Sequence, residues 1–164
     1  MFGDCLAVAL MHKLRFSKEK FKMWHPGGNI GQTLLLVKDI MLVGKKLPTI
    51  SINKTVGDAI KIINAKNLGL VVITKNSFIK GILTDGDARR SMKNYSKDLK
   101  IEKFMTKKPL IINENETASR ALSIMNEKKI TSLLVSSEKN VKLNKEVKLK
   151  GILHIHSLLK HGIK

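Results

Sequence analysis

Gly81-Ile82-Leu83-Thr84-Asp85-Gly86-Asp87-Ala88-Arg89-Arg90 runs an apolar strand straight into a helix, through a turn that carries one hydroxyl and two carboxylates. The chain closes on a second version of the same element, Gly151-Ile152-Leu153-His154-Ile155-His156-Ser157-Leu158-Leu159. One strand-turn-helix used twice implies an internal repeat, and a repeat fixes how the residues between the copies must be read.

Upstream of Gly81, Leu70 to Thr74 reads as a strand joined to Ile79 to Leu83 through the hairpin turn Lys75-Asn76-Ser77. Before it, Thr55 caps a predicted helix whose Val56, Ala59, Ile60 and Ile63 recur at three- and four-residue spacing, with Asp58 in the place of a capping-box glutamate. Ile50 to Ile52 precedes as a short strand, so the unit is β-α-β-β-α. After a linker over Lys93 to Lys100 the order repeats. Phe104-Met105 matches Ile40-Met41, Leu110 to Ile112 is the short strand, and Thr117 caps a helix with Ala121, Leu122 and Met125 on one face. Ser132 to Val135 and Leu149 to Leu153 are the later strands, before a final helix. The polar hairpin between them, Ser137 to Lys148, carries Lys139, Lys142, Lys145 and Lys148 and reads as a solvated insertion. The fold class is α+β. Each unit has an apolar sheet face that it cannot bury alone, so the two are expected to pack together with pseudo-two-fold symmetry, leaving a cleft as the ligand site.

Composition narrows the class. With 164 residues, 43% hydrophobic and 27% charged, the chain suits one ordinary domain or two small ones sharing a core. No apolar run approaches the ~20 residues that cross a bilayer, and Asp4 interrupts the N-terminal apolar stretch, which also lacks a preceding basic residue and a small-residue cleavage site. A single cysteine, Cys5, without ligand partners at metal-site spacing points to a reducing cytoplasm and to no metal. The net charge of +18 raises nucleic acid as a partner. Scattered lysines, only four arginines and 4% aromatics argue against it, and read instead as a compositional preference.

Ahead of the repeats, Asp4 to Leu14 gives an amphipathic helical pattern, and Ser17 is placed to cap a shorter helix. His25-Pro26-Gly27-Gly28-Asn29-Ile30-Gly31 follows, and three glycines with a proline force a sharp turn. A connecting turn accounts for these residues as well as a functional site does, and His25 alone does not decide between them.

The two units resemble a tandem pair of CBS domains, a Bateman module, over about Val37 to Lys160. The likeness is carried by the openings Asp39-Ile40-Met41 and Lys103-Phe104-Met105, by the Thr-capped helices, and by Thr84-Asp85-Gly86-Asp87. In that family a Thr or Ser, then two residues, then an Asp contact the phosphate and ribose of a nucleotide. The resemblance therefore implies a nucleotide site at Thr84, Asp85 and Asp87, with His154 and Ser157 at the corresponding positions of the second unit. A hydroxyl and free amides at a helix start suit a phosphate, and a carboxylate accepts two bonds from a ribose diol. A helix-start residue answering the dipole explains Asp87 equally well. Because Ser157 stands where the carboxylate would, one nucleotide per pair is expected.

The preceding segment, Gly3-Asp4-Cys5-Leu6-Ala7-Val8-Ala9-Leu10 with Phe16 and His25 to Gln32, is similar to the end of the sugar isomerase (SIS) domain in the D-arabinose 5-phosphate isomerases of the KpsF/GutQ family, which continue into a CBS pair. Leu153 to Leu159 resembles their ending too. This implies that His25 is the active-site histidine, assisting proton transfers that interconvert ribulose 5-phosphate and arabinose 5-phosphate on the route to the lipopolysaccharide sugar Kdo. The phosphate-binding loop, lysine and glutamates that the family uses upstream have no counterpart here, so the chain alone is expected to be inactive. The expected organisation is a sugar isomerase remnant at 1–36, a first CBS domain at 37–98 and a second at 99–164. The expected function is a regulatory module that requires no cofactor and binds an adenine nucleotide or a CMP-sugar. The alternative is part of an active isomerase completed by another polypeptide. The resemblance also implies a homodimer through the CBS pairs, and tetramers for intact enzymes.

Overall fold

A computed structural model of the chain describes residues 2–16, 35–92, 99–138 and 146–163. The helix expected after Ser17, the glycine-rich turn with His25, most of the linker, and Lys139, Lys142 and Lys145 of the hairpin lie outside the described residues.

The chain begins with helix α1 (Phe2–Lys13), and α2 (Val37–Ile40) opens the first unit. There follow β1 (Thr49–Ser51), α3 (Val56–Lys66), β2 (Leu70–Lys75), β3 (Phe78–Thr84) and α4 (Asp85–Met92). The second unit holds β4 (Ile111–Asn113), α5 (Ala118–Lys128), β5 (Ser132–Ser136), β6 (Gly151–His154) and α6 (Ile155–Lys160). Short 3-10 turns at Gly44–Lys46 and Ile101–Lys103 precede the first strand of each unit.

The caps read from sequence are made. Thr55 Oγ1 accepts from the Asp58 amide at 3.3 Å and donates to Asp58 Oδ2 at 3.1 Å. Thr117 Oγ1 accepts from the Arg120 amide at 3.2 Å. Each hydroxyl satisfies one of the amides that a helix start leaves without an internal partner. Both helices end on a left-handed residue, Asn67 and Lys129, each at φ 53°.

In each sheet the first strand lies parallel to the second and the third returns antiparallel. Registers correspond: Leu70 stands opposite Thr84, and Ser132 opposite His154. The parallel pairs require a crossover, which α3 and α5 provide. Strand β2 is apolar on both faces. Val71 and Ile73 join Ile50, Val56, Ala59, Ile63 and Leu83 under the first unit's helices, whereas Leu70 and Val72 meet Leu134 and Ile152 of the other sheet. The Leu-Val-Val-Ile run therefore marks a strand buried on both sides.

The two units exchange their openings. Val37 and Ile40 are buried in the second unit's core with Ile112, Leu133 and Leu158. Ile101, Phe104 and Met105 pack in the first. Backbone bonds fix the exchange: Leu42 and Ile152 donate to each other's carbonyls at 2.8 and 3.1 Å, and Thr106 and Ile82 do so at 2.8 and 3.0 Å. A Cβ on Gly81 would stand 2.7 Å from the Thr106 carbonyl oxygen and 3.0 Å from Met105 Sδ. One on Gly151 would stand 2.7 Å from both the Leu42 oxygen and Met41 Sδ. The repeated Gly-Ile-Leu and the repeated Met are thus two sides of one contact. Asp39 shapes its opening by accepting from the Leu36 amide through Oδ2 at 3.1 Å.

Two expectations need correction. The return of the 137–148 hairpin is not simply solvated: Val147 is 4% exposed, its carbonyl accepts from the Ile79 amide at 2.9 Å, and Glu146 meets Lys80 at 2.5 Å. The edge of β3 offered unpaired backbone groups, and the hairpin covers them. Helix α1 forms where expected but buries none of its residues, with Phe2 95% and Leu6 63% exposed. Its apolar residues run consecutively around the helix instead of along one stripe.

Candidate nucleotide site

Strand β3 ends at Thr84, and the start of α4 is held by the Asp85 amide donating to the Gly69 carbonyl at 2.9 Å. The same tie recurs in the second unit, from Ile155 to Thr131 at 2.9 Å. At the first end Thr84 and Asp87 lock together. The Thr84 hydroxyl and amide donate to Asp87 Oδ2 at 2.7 and 3.2 Å, and the Asp87 amide donates back to Thr84 Oγ1 at 3.2 Å. Arg90 donates to Asp87 Oδ1 from a side chain that is 73% exposed. Burial pushes the Asp87 carboxyl up, but these hydrogen bonds and the nearby guanidinium outweigh it and hold the group below the ordinary carboxylate value. Asp85 pairs with Arg89 at 2.6 Å on the exposed flank.

The second end is neutral. His154 is buried, and its Nδ1 accepts from the His156 amide at 3.2 Å, so the ring caps α6 as an uncharged imidazole. Burial, and secondarily His156 with its ring centroid 4.7 Å away, pull its pKa down. Ser157 is half-buried in α6, and its carbonyl accepts from His161 Nδ1 at 2.8 Å.

Between the units lies a cavity of about 390 Å³. Its walls come from 68–70, Ile82 and Thr84 of the first unit, and from Thr106, 108–110, 129–132 and Leu134 of the second. Of the residues expected at the site, Thr84 lines the cavity; Asp85, Asp87, His154 and Ser157 do not, and His25 is outside the described residues. Asp87 instead stands behind Thr84 and fixes its hydroxyl. Sequence reasoning missed Lys108, Lys129 and Ser132. The Ser132 Oγ is buried without a hydrogen-bond partner among the described residues, a condition that costs about 1–3 kcal/mol unless a ligand or water answers it. No sequence signal marked Ser132; its register opposite His154 is what places it. Among the described residues, no group of three or more His, Cys, Asp or Glu could hold a metal ion, and no helix is long and apolar enough to cross a membrane.

Two β-α-β-β-α units that swap their openings, with a Thr-x-x-Asp strand end beside the cleft, have the architecture of a CBS-domain pair. The CBS domain model matches residues 37–94 and 101–164, and the chain belongs to that family. The chain is 40% identical over 167 residues to the arabinose 5-phosphate isomerase KdsD of Yersinia pestis, a match covering 99% of this chain and 48% of the relative. It thus spans about half the length of the curated relatives it matches. Among solved structures, CBSX2 in complex with AMP superposes with a TM-score of 0.64 at 18% identity, covering 78% of this chain and 96% of that one. The CBS pair of protein MJ0100, in complex with 5′-methylthioadenosine and S-adenosyl-L-methionine, gives 0.64 at 23%, covering 80% and 99%. The expected tandem CBS fold and the resemblance to arabinose 5-phosphate isomerases are both borne out.

Proposed function

We propose that this chain is the regulatory, nucleotide-binding part of an arabinose 5-phosphate isomerase-like protein, holding one adenine nucleotide or CMP-sugar in the cavity between its units. The observation that carries the reading is that cavity, which sets the Thr84 hydroxyl and the unpartnered Ser132 hydroxyl among apolar walls from both units. A few placed polar groups in an apolar cleft of this size are what a small-ligand site needs. The AMP complex of CBSX2 and the adenosine-ligand complex of MJ0100 lend support by fold. In this reading the base lies against Ile82 and Leu134, and Thr84 meets the phosphate. Asp87 positions Thr84 from outside the cavity lining, its carboxylate shared between the Thr84 hydroxyl and Arg90. Asp85 borders the site, while His154 and Ser157 form its weaker counterpart. The same reading divides the chain into a sugar isomerase remnant at 1–36 and CBS domains at 37–98 and 99–164, acting in the cytoplasm as a homodimer.

Calorimetry with AMP, ATP and a CMP-sugar tests the site. Asp87→Ala is expected to remove the dominant binding event and Ser157→Ala to change little. Two equal sites in the parent, or binding indifferent to Asp87→Ala, would refute the assignment.

A second reading draws on the KdsD similarity, which at 99% coverage includes the segment around His25: His25 serves an isomerase site completed by another polypeptide. Turnover of ribulose 5-phosphate that requires a partner chain and is lost in His25→Ala would favour it. The first reading expects none from the chain alone.

A further inference from the structure

We infer that the cavity sorts nucleoside ligands by charge, accepting those that carry phosphate and rejecting cationic sulfonium nucleosides. The inference rests on the nucleotide reading above and deepens it. Lys108 and Lys129 line the cavity, and no carboxylate does. Among the described residues neither lysine pairs with an acidic side chain. The carboxylate behind the wall, Asp87, is already answered by Thr84 and Arg90. A phosphate in this cavity would therefore have two lysines in its walls and no lining carboxylate, whereas S-adenosylmethionine, whose ammonium and carboxylate cancel, would bring a net positive sulfonium that no lining anion answers.

The charge is confined to one side of the pseudo-symmetric pair. Lys129 ends α5 in the left-handed region at φ 53°, where a lysine side chain is disfavoured, and the matching residue of the first unit is Asn67, a residue type that tolerates this geometry. The first unit's nearest cation by sequence, Lys66, is engaged elsewhere: its Nζ donates to the Lys45 carbonyl at 2.6 Å. That carbonyl sits on the 3-10 turn Gly44–Lys46. The turn exists because six residues separate Met41 from Pro48, while three separate Met105 from Pro109. The longer opening is pinned down, and the shorter one leaves Lys108 facing the cavity.

An exposed lysine–phosphate contact is worth a factor of about two to five, and two independent ones about tenfold. Such attraction is screened by salt. The experiment is calorimetry on the full chain with AMP, adenosine and S-adenosylmethionine, at low and at high salt. The expected order is AMP, then adenosine, then S-adenosylmethionine, with AMP about tenfold ahead of adenosine at low salt and the gap shrinking at high salt. The double variant Lys108→Gln/Lys129→Asn should bring the AMP-to-adenosine ratio close to one; asparagine is chosen because Asn67 already holds the equivalent left-handed position. S-adenosylmethionine binding as tightly as AMP, or a ratio untouched by the double variant, overturns the charge sorting while leaving the nucleotide site standing. No binding of any of the three overturns the site itself.

Discussion

Replacing Gly81 with alanine isolates the contact by which the units exchange their openings. Gly81 is not among the residues with positive φ, so alanine can adopt its backbone and the cost is steric. The added carbon would lie 2.7 Å from the Thr106 carbonyl oxygen and 3.0 Å from Met105 Sδ. Methionine can withdraw, since its side chain is flexible. The carbonyl cannot, because Thr106 is held to Ile82 by bonds of 2.8 and 3.0 Å in the two directions. Overpacking of this kind costs about 1–3 kcal/mol, and weakening two backbone bonds adds up to about 1 kcal/mol each. A loss of roughly 2–4 kcal/mol lowers the melting temperature by about 5–15 °C for a chain of this size. Gly151→Ala makes the matching clash, 2.7 Å from the Leu42 oxygen and 2.7 Å from Met41 Sδ. It should destabilise to a similar degree. The two differ in function, because Ile82 and Thr106 line the cavity and Leu42 and Met41 do not. Thermal melts by circular dichroism and AMP titration below both midpoints are the assays. An unchanged midpoint for Gly81→Ala, or equal loss of AMP affinity in the two variants, would refute the reasoning.

Other outcomes follow from the caps, the buried imidazole and the N-terminal boundary. Thr55→Ala and Thr117→Ala should each cost about 1 kcal/mol in urea unfolding and add in the double variant, since the caps serve separate helices. His154 is more easily protonated in the unfolded chain, so its contribution is present above about pH 6.5 and lost as pH falls towards its depressed folded value. Melts from neutral to mildly acidic pH should show that decline, and His154→Gln should flatten it. A chain lacking residues 1–13 should keep the full melting temperature, because α1 buries nothing. One beginning at Val37 should not, because the Leu35 carbonyl accepts from the Ala118 amide at 2.7 Å.

What could be read from the sequence was what local chemistry repeats. Threonine before an apolar helical face, an unbroken Leu-Val-Val-Ile strand and the doubled Gly-Ile-Leu each specify structure within a few residues, and each formed as expected. The exchange was hidden because Ile40-Met41 stands next to the first unit in sequence and packs on the second, and no periodicity reports a contact between residues more than a hundred positions apart. Its trace was chemical: a residue without a Cβ recurring in step with a methionine. Thr84 was legible because the strand-to-helix turn concentrates hydroxyl and carboxylate. Lys108 and Lys129 were not, since two exposed lysines in a lysine-rich chain look like any others until the cavity singles them out. Ser132 required the register of β5 against β6 before its hydroxyl could be placed.

The exchange also determines how a ligand acts on the fold. The bonds between Ile82 and Thr106 make the end of β3 and the opening of the second unit one piece of wall, while Ser132 and Leu134 belong to the facing sheet. A nucleotide touching both ties the units together, and a ligand that binds only the folded chain adds about 2.7 kcal/mol of stability at a hundredfold excess over its Kd. That equals much of what either glycine substitution removes. AMP should therefore restore most of the lost melting temperature in Gly151→Ala, whose cavity wall is intact. It should restore little in Gly81→Ala, where the clash displaces the wall that would hold it. Equal rescue of both variants would mean that the cavity does not depend on the Gly81–Thr106 contact.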